Sequence, residues 1–158
     1  MTEGMLTTRG VVYPWHCDHM GHMNVMWYVG KFDEATWHFL GSIGLTPSYL
    51  RLQRRMAVAV DQRISYRREL FAGDLISIRS AALEIGASSF RFVHEMVHDE
   101  TGDLVAVTIL TGVHVDAETH RSCPLPEELR RNAESQLVSD PKSWNEWPPT
   151  EARLLSKR

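Results

Sequence analysis

One stretch of the chain decides the fold: Trp15-His16-Cys17-Asp18-His19-Met20-Gly21-His22-Met23-Asn24, continuing as Val25-Met26-Trp27-Tyr28-Val29-Gly30-Lys31-Phe32-Asp33-Glu34-Ala35. Its first half packs polar and ionisable groups around a glycine, which predicts an irregular loop. In its second half, apolar residues recur at the spacing of one helical face, at Val25, Tyr28, Val29, Phe32, Ala35, Phe39 and Ile43. Asn24 precedes this run, where its side-chain oxygen can cap free N–H groups.

Asp18 is the residue of this loop that is best suited to a catalytic role. A helix N-terminus presents unpaired N–H donors and partial positive charge. A carboxylate held beside such donors can attack a carbonyl or activate water against it. The structural alternative is a loop carboxylate that only accepts a turn hydrogen bond.

The segments on either side of this stretch are shorter. A strand is predicted over residues 7–15, with Pro14 near its end. The long helix is expected to end near Gly41 or Gly44, since glycine favours helix C-termini. A helical turn is predicted over residues 46–52, with Thr capping and Pro in the first turn.

The second half of the chain predicts a meander of strands, over residues 56–69, 75–85, 90–98 and 104–116. Leu83 and Ile85 are out of phase with the apolar residues before them, so a bulge is expected near Ser80. A short helix is predicted over residues 124–131. One long helix against one antiparallel sheet is an α+β arrangement.

A single helix covers only one face of a sheet. The other face, or the sheet edge, then needs a partner, and this predicts a homo-oligomer, either a dimer or a tetramer.

Composition excludes several classes of protein. The 158 residues are 43% hydrophobic and 23% charged with a net charge of −3, which argues against disorder and against a nucleic-acid-binding surface. No apolar run is long enough to span a membrane, so no membrane partner is expected. Cys17 and Cys123 are too few for a disulfide framework. A reducing, cytoplasmic location is expected.

Several motifs together resemble the hotdog-fold acyl-CoA thioesterases of the 4-hydroxybenzoyl-CoA thioesterase type. They are Asp18-x-x-Gly21-His22-x-Asn24, then Tyr28, Phe32-Asp33-Glu34-Ala35, Phe71-Ala72-Gly73-Asp74, Gly86-Ala87-Ser88-Ser89 and Arg121-x-x-Pro124-Leu125-Pro126. The similarity covers roughly residues 8–130. It implies a long helix wrapped by a curved sheet, dimers that join their sheets, and active sites at the dimer interface. We therefore divide the chain into a hotdog thioesterase domain, 1–131, and a C-terminal extension, 132–158, packed on the body or partly mobile.

The resemblance also implies roles for individual residues. Asp18 would be the nucleophile or the general base in thioester hydrolysis, and the sequence leaves both open. Backbone N–H groups near Asn24 and Val25 would polarise the thioester carbonyl. The turn at Ser88 and Ser89 would approach the pantetheine and nucleotide of coenzyme A. Coenzyme A is part of the substrate, and no cofactor is expected.

Other side chains near the loop have two interpretations each. His22 either orients the acyl group or Asp18, or bonds a neighbouring carbonyl. Asn24 is first a helix cap and only secondarily a substrate contact. Tyr28 is a core aromatic or a wall of the acyl pocket.

A metal site is the alternative interpretation of the loop, because zinc ligands are of these types. The candidates are His16, Cys17, Asp18, His19 and His22. They are too close in sequence to face one ion together, and no second cluster with ligand spacing completes a site. We expect no metal.

Two competing functions remain. A 3-hydroxyacyl thioester dehydratase on the same fold would use His22 with Glu34. A non-catalytic acyl-CoA binding module would not need Asp18.

The acyl group is the least constrained feature. Trp15, Trp27 and Tyr28 flank the loop, and aromatic cages can hold quaternary ammonium groups. A short or polar acyl group, such as one carrying a trimethylammonium, would suit such a cage. The alternative is that Trp15 and Trp27 pack at a dimer interface.

Overall fold

The computed structural model describes residues 4–139. The strands are β1 (Met5–Val11), β2 (Arg55–Tyr66), β3 (Leu75–Ile85), β4 (Ser89–His98) and β5 (Leu104–Asp116). The helices are α1 (Val25–Ile43), α2 (Pro47–Leu52) and α3 (Glu127–Glu134), with a 3-10 turn at Pro14–His16. These elements follow one another along the chain in the predicted order.

The five strands form one antiparallel sheet in the order β1-β3-β4-β5-β2. The predicted meander is correct for β3, β4 and β5, which pair in succession. It is wrong for β2, which pairs with β5 at one edge, while β1 takes the place beside β3.

Helix α1 packs on one face of this sheet, as Tyr28 and Phe32 share a buried cluster with Ile76, Ile78 and Met96. A second cluster continues along the helix. There, residues of its second half, Phe39 and Ile43 among them, meet the far ends of β3 and β4. The α+β arrangement predicted from the sequence is confirmed.

Local signals set both ends of α1. The Asn24 side chain accepts the N–H of Met26, and the helix stops at Gly44, whose φ of 106° is left-handed. The predicted buried face is partly wrong, because Val25 (56%) and Val29 (39%) are exposed. The buried face of α1 instead includes Lys31 and Thr36. The face that packs on the sheet therefore differs from the face that the apolar residues alone would define.

Several segment boundaries differ from the predictions. Strand β1 ends at Val11, because Pro14 starts a 3-10 turn instead of extending the strand. Strand β2 ends at Tyr66, where the N–H groups of the next two residues both turn to the carbonyl of Val105. Helix α3 starts after Pro126 and not at Pro124.

The predicted bulge exists but lies further along β3. The register with β4 shifts between Ala82 and Glu84, not near Ser80. Leu83 therefore faces away from α1, and Ile85 returns to the helix side, where it packs against the second cluster. The phase change seen in the sequence is real, and its position follows from the pairing with β4.

The face of the sheet away from α1 is not bare, so this face is not by itself a reason to expect an oligomer. Ala81, Val93 and Ile109 are buried there, and Val138 packs against them. The chain beyond α3 reaches this position by pairing with β3. The N–H of Ala82 donates to the backbone carbonyl of Gln136, and the N–H of Val138 donates to the Ala82 carbonyl. The start of the predicted extension is therefore packed on the body, and its remainder lies outside the described residues.

Candidate active site

The loop between β1 and α1 is closed by its own backbone. The N–H of Asp18 donates to the His22 carbonyl (3.2 Å), and the N–H of Gly21 donates to the Asp18 carbonyl (2.9 Å). Gly21 has a φ of 84°, which a side chain would disfavour. Met23 is buried and donates its N–H to the Leu70 carbonyl at 2.7 Å, which anchors the loop to the segment before β3.

The Asp18 carboxylate is held by two donors. One oxygen, Oδ1, accepts the backbone N–H of Met20 at 2.8 Å. The other, Oδ2, accepts the Nδ2 amide of Asn24 at 2.7 Å. The hydrogen bond from Asn24, followed by that from Met20, lowers the pKa of Asp18 below its ordinary value. The group is therefore an anion of fixed orientation at neutral pH, and each oxygen keeps acceptor capacity for a ligand.

Asn24 joins this carboxylate to the helix. Its Oδ1 accepts the N–H of Met26 at 2.9 Å while its Nδ2 holds Asp18, so one side chain is both helix cap and carboxylate clamp. Its predicted role as a backbone donor needs correction: the N–H of Asn24 already donates to the His16 carbonyl at 2.9 Å. Within residues 4–139, the N–H of Val25 makes no hydrogen bond, so it is the free donor of the first turn.

The aromatic side chains around the loop do not meet in one cage. Trp15 stacks on Tyr13, with ring centroids 4.4 Å apart, while Trp27 packs against His16 at 4.5 Å. Tyr28 is only 3% exposed, and its hydroxyl donates to the Arg68 carbonyl. The cage predicted from Trp15, Trp27 and Tyr28 is therefore not formed. Tyr28 belongs to the core, while the other two rings flank the loop.

His22 turns away from the partner that a dehydratase would need. Its Nε2 lies 3.5 Å from Glu69, and its ring edge meets Phe71. Glu34, the predicted partner, is exposed on α1 three residues after Lys31. The His22–Glu34 pair is thus not formed, and His22 borders the loop beside a carboxylate that the sequence analysis did not single out.

Ser88 and Ser89 lie at the other end of the sheet from Asp18. The loop that carries Asp18 lies near the start of β3, where the N–H of Val12 donates to the Asp74 carbonyl. Ser89 begins β4, shortly after the end of β3. Because β3 has 11 residues, the path along this strand from one end to the other is about 36 Å at roughly 3.3 Å per residue. One chain therefore does not bring Ser88 and Ser89 to its own Asp18.

Two further points concern the loop's ionisable groups. Among residues 4–139, no three His, Cys, Asp or Glu side chains converge where they could hold a metal ion. His16, considered in the sequence only as a metal ligand, instead bonds the backbone of Tyr13. Two hydrogen bonds between Tyr13 and His16 close the turn, and because the Tyr13 side chain makes no cap, no capping-box signature was available in the sequence.

Within the described range, no helix has the length and apolar character that a membrane crossing requires.

Comparison with known proteins places this geometry in a family. Residues 12–133 match the Thioesterase-like superfamily. The chain is 26% identical over 132 residues to the long-chain acyl-CoA thioesterase FadM of Escherichia coli (strain K12), covering 84% of this chain and 99% of FadM.

Solved structures agree on the fold. The probable thioesterase YbaW from Escherichia coli has a TM-score of 0.71 and 25% identity, with 85% of this chain and 100% of that one covered. The Staphylococcus aureus protein SAV2348, solved in complex with CoA, has a TM-score of 0.80 at 16% identity, with 100% and 99% covered. The 1,4-dihydroxy-2-naphthoyl-CoA thioesterase Slr0204 from Synechocystis has a TM-score of 0.73 at 19% identity, with 81% and 94% covered. The chain belongs to the Thioesterase-like superfamily, and it is a thioester hydrolase with the hotdog fold.

Proposed function

We propose that this protein hydrolyses acyl-CoA thioesters, with Asp18 as the attacking or water-activating carboxylate. The observation that carries the proposal is the placement of that carboxylate. Met20 and Asn24 orient it, and the same Asn24 caps the helix whose free Val25 N–H lies in the first turn. The relationship to FadM, a long-chain acyl-CoA thioesterase, supports coenzyme A as the thiol component.

Two reaction courses fit this arrangement. If Asp18 is the nucleophile, its oxygen bonds the thioester carbon, the C–S bond breaks, and CoA leaves as a thiolate. Water then cleaves the resulting anhydride. If Asp18 is a general base, it takes a proton from water as the oxygen attacks the carbon, and that proton passes to the departing thiolate. In both courses the N–H of Val25 would stabilise the negative oxygen of the tetrahedral state.

A single-turnover reaction in heavy-oxygen water separates these courses. Mass spectrometry of the peptide that carries Asp18 is the readout. Heavy oxygen in Asp18 requires a covalent anhydride and supports the nucleophilic course. An unlabelled Asp18 peptide that also carries no acyl group in the quenched single-turnover sample favours direct attack by water.

We further propose a homodimer in which each site uses both chains. Asp18 and the Ser88–Ser89 turn lie at opposite ends of one sheet, so they can contact one CoA only if the turn comes from a second copy. The edge strand β2 offers a surface for that contact, since Val58, Val60 and Tyr66 are exposed along it. An exposed apolar edge strand is a site where a second chain can pair.

For the acyl group, we propose an apolar or aromatic body. Several exposed side chains around the loop are apolar: Trp15 is 65% exposed, and Met20, Val25 and Met26 are also exposed. The stacking of Tyr13 on Trp15 leaves a flat shelf, not an enclosed cation cage. A short or cationic acyl group, as expected from the sequence, would then have only one open face of Trp15 to contact.

A panel of acyl-CoAs with free thiol as the readout tests this proposal. It should include short, long, branched, aromatic and trimethylammonium-bearing acyl groups. Apolar or aromatic acyl groups are expected to give the highest kcat/KM, and Trp15→Leu should lower their rates selectively. A panel led by cationic acyl groups would restore the cage hypothesis.

A further inference from the structure

His16 closes the turn that leads into the loop carrying Asp18. It is 7% exposed and ends the 3-10 turn at Pro14–His16. Its Nδ1 accepts the N–H of Tyr13 at 2.9 Å, and its own N–H donates to the Tyr13 carbonyl at 2.9 Å. Because Nδ1 is an acceptor here, the proton of the neutral imidazole must sit on Nε2.

The same residue is connected to the Asp18 carboxylate through one intermediate. The His16 carbonyl accepts the N–H of Asn24 at 2.9 Å. The Asn24 amide donates to Asp18 at 2.7 Å, and its oxygen accepts the N–H of Met26 at 2.9 Å. A displacement of the His16 carbonyl would therefore move Asn24, and with it both the carboxylate and its relation to the helix.

The imidazole ring also fills the space between the turn and the helix. It packs against Trp27, in the first turn of α1, with ring centroids 4.5 Å apart, and against Trp15 at 5.7 Å. The side chain is thus in contact with elements on both sides of the loop.

We infer that His16 is a positioning residue for Asp18, acting through Asn24. The inference rests on the proposed function, since it assumes that Asp18 performs the reaction. His16 itself does not contact the reacting atoms in this arrangement. Its side chain fixes the conformation of the turn, and the turn fixes the position of the His16 carbonyl. That carbonyl in turn holds the N–H of Asn24.

This role is sensitive to the charge on the imidazole. Protonation of Nδ1 would remove the acceptor for the Tyr13 N–H and set two donors against each other. The groups that act on the ring are Lys31 and Glu34 from α1, with the Tyr13 ring on the other side. Burial lowers the pKa of His16, Lys31 adds to this, and Glu34 opposes it. The ring is therefore neutral at neutral pH and takes up a proton only below its ordinary pKa range.

Three variants test the inference: His16→Leu, His16→Asn and, as a matched control, His120→Asn. Leucine keeps bulk but lacks the acceptor, whereas the asparagine oxygen can take the place of Nδ1. His120 is exposed with a φ of 56°, a conformation that asparagine tolerates. The readouts are kcat, KM and the pH dependence of kcat, measured for the full-length protein with the best acyl-CoA of the panel.

His16→Leu should lower kcat by roughly five- to a hundredfold, the effect of leaving the part-buried N–H of Tyr13 unpaired, with KM changed much less. His16→Asn should keep kcat near wild type and should shift the acid limb of the pH profile to lower pH, because the titrating ring is gone. His120→Asn should match wild type in both respects.

Wild-type kcat in His16→Leu, or an equal loss in His16→Leu and His16→Asn, would overturn the inference. An acid limb unchanged in a well-folded His16→Asn variant would also overturn it, and this readout stands even if His16→Leu fails to fold. Measuring Asp18→Asn in the same series separates a failure of the proposed function from a failure of the role proposed for His16. An active Asp18→Asn variant removes the proposed function, whereas an inactive one beside a fully active His16→Leu removes only the role of His16.

Discussion

The substitution Asp18→Asn probes the carboxylate with little change of shape. Asp18 accepts one hydrogen bond at each oxygen, from Met20 and from Asn24. An amide has one oxygen, so the substituted side chain can keep only one of these bonds and must turn its NH2 group towards the other donor. The loop should stay closed, because its backbone bonds among Asp18, Gly21 and His22 do not use the side chain.

The expected result is a selective loss of turnover. An asparagine can neither attack the thioester nor accept a proton from water, and general acid–base groups contribute about 10²–10⁴-fold to rate. We expect kcat to fall by roughly that factor while KM stays within about threefold of wild type, as for a group that acts only in the transition state. Thiol release with substrate in excess over enzyme gives kcat and KM, and residual activity from the backbone donor should remain.

Asp116→Asn is the matched control. Asp116 is also a turn carboxylate that accepts two backbone N–H groups, from Glu118 and Thr119, and its pKa is also lowered, chiefly by those bonds. It lies at the end of β5 and pairs with Arg55. Its substitution should lower thermal stability and leave kcat unchanged. Near-normal turnover in Asp18→Asn, or an equal loss in both variants, would refute the assignment of Asp18.

Three further outcomes follow from the fold. Phe32 is fully buried between α1 and the sheet, so Phe32→Ala should lower the free energy of unfolding by about 3–5 kcal/mol in urea titrations; a change below about 1 kcal/mol would contradict the core assignment. Burial lowers the pKa of His94 from 6.5 to about 3. The unfolded chain therefore binds a proton that the native chain does not, and stability should decline as the pH falls from 6.5 towards 3; replacing His94 should flatten that slope in chemical denaturation, and an unchanged slope would show that other groups cause it. Sedimentation should show a dimer at micromolar concentration that Val60→Glu weakens, whereas a wild-type monomer would remove the shared site.

The features predicted correctly from the sequence are those with local causes. Asn24 caps α1 because a short polar side chain directly before a helix can accept one of its free backbone N–H groups. Gly44 ends the helix because it tolerates a positive φ. The same locality placed Asp18 beside the helix N-terminus, since only a few residues separate them. The pairing of β3 with β4 and of β4 with β5 followed from the short turns between them.

The errors concern contacts between distant residues. The use of the Asn24 N–H depends on where the His16 carbonyl lies, and the partner of His22 comes from the segment after β2. Helical periodicity placed Val25 and Val29 in the core, yet the sheet accepts a face that includes other residues of α1. The separation of Ser88 from Asp18 depends on the length and position of β3, which lies between them in the sheet.

Several expectations stay predictions. The location in the cytoplasm and the independence from metal ions are among them. Elemental analysis of the purified protein, followed by activity after chelation, tests the second. Stoichiometric zinc with loss of activity on chelation would return attention to His16, His19 and His22.

Turnover and binding recorded in the same sample test most directly whether this protein hydrolyses acyl-CoA. Wild-type protein is mixed with each acyl-CoA of the panel, while thiol release and calorimetric binding are recorded in parallel. We expect at least one acyl-CoA to be hydrolysed over many turnovers, leaving free acid and CoA in equal amounts. Tight binding of acyl-CoAs with no thiol released across the whole panel would contradict it and would identify the protein as a non-catalytic binding module.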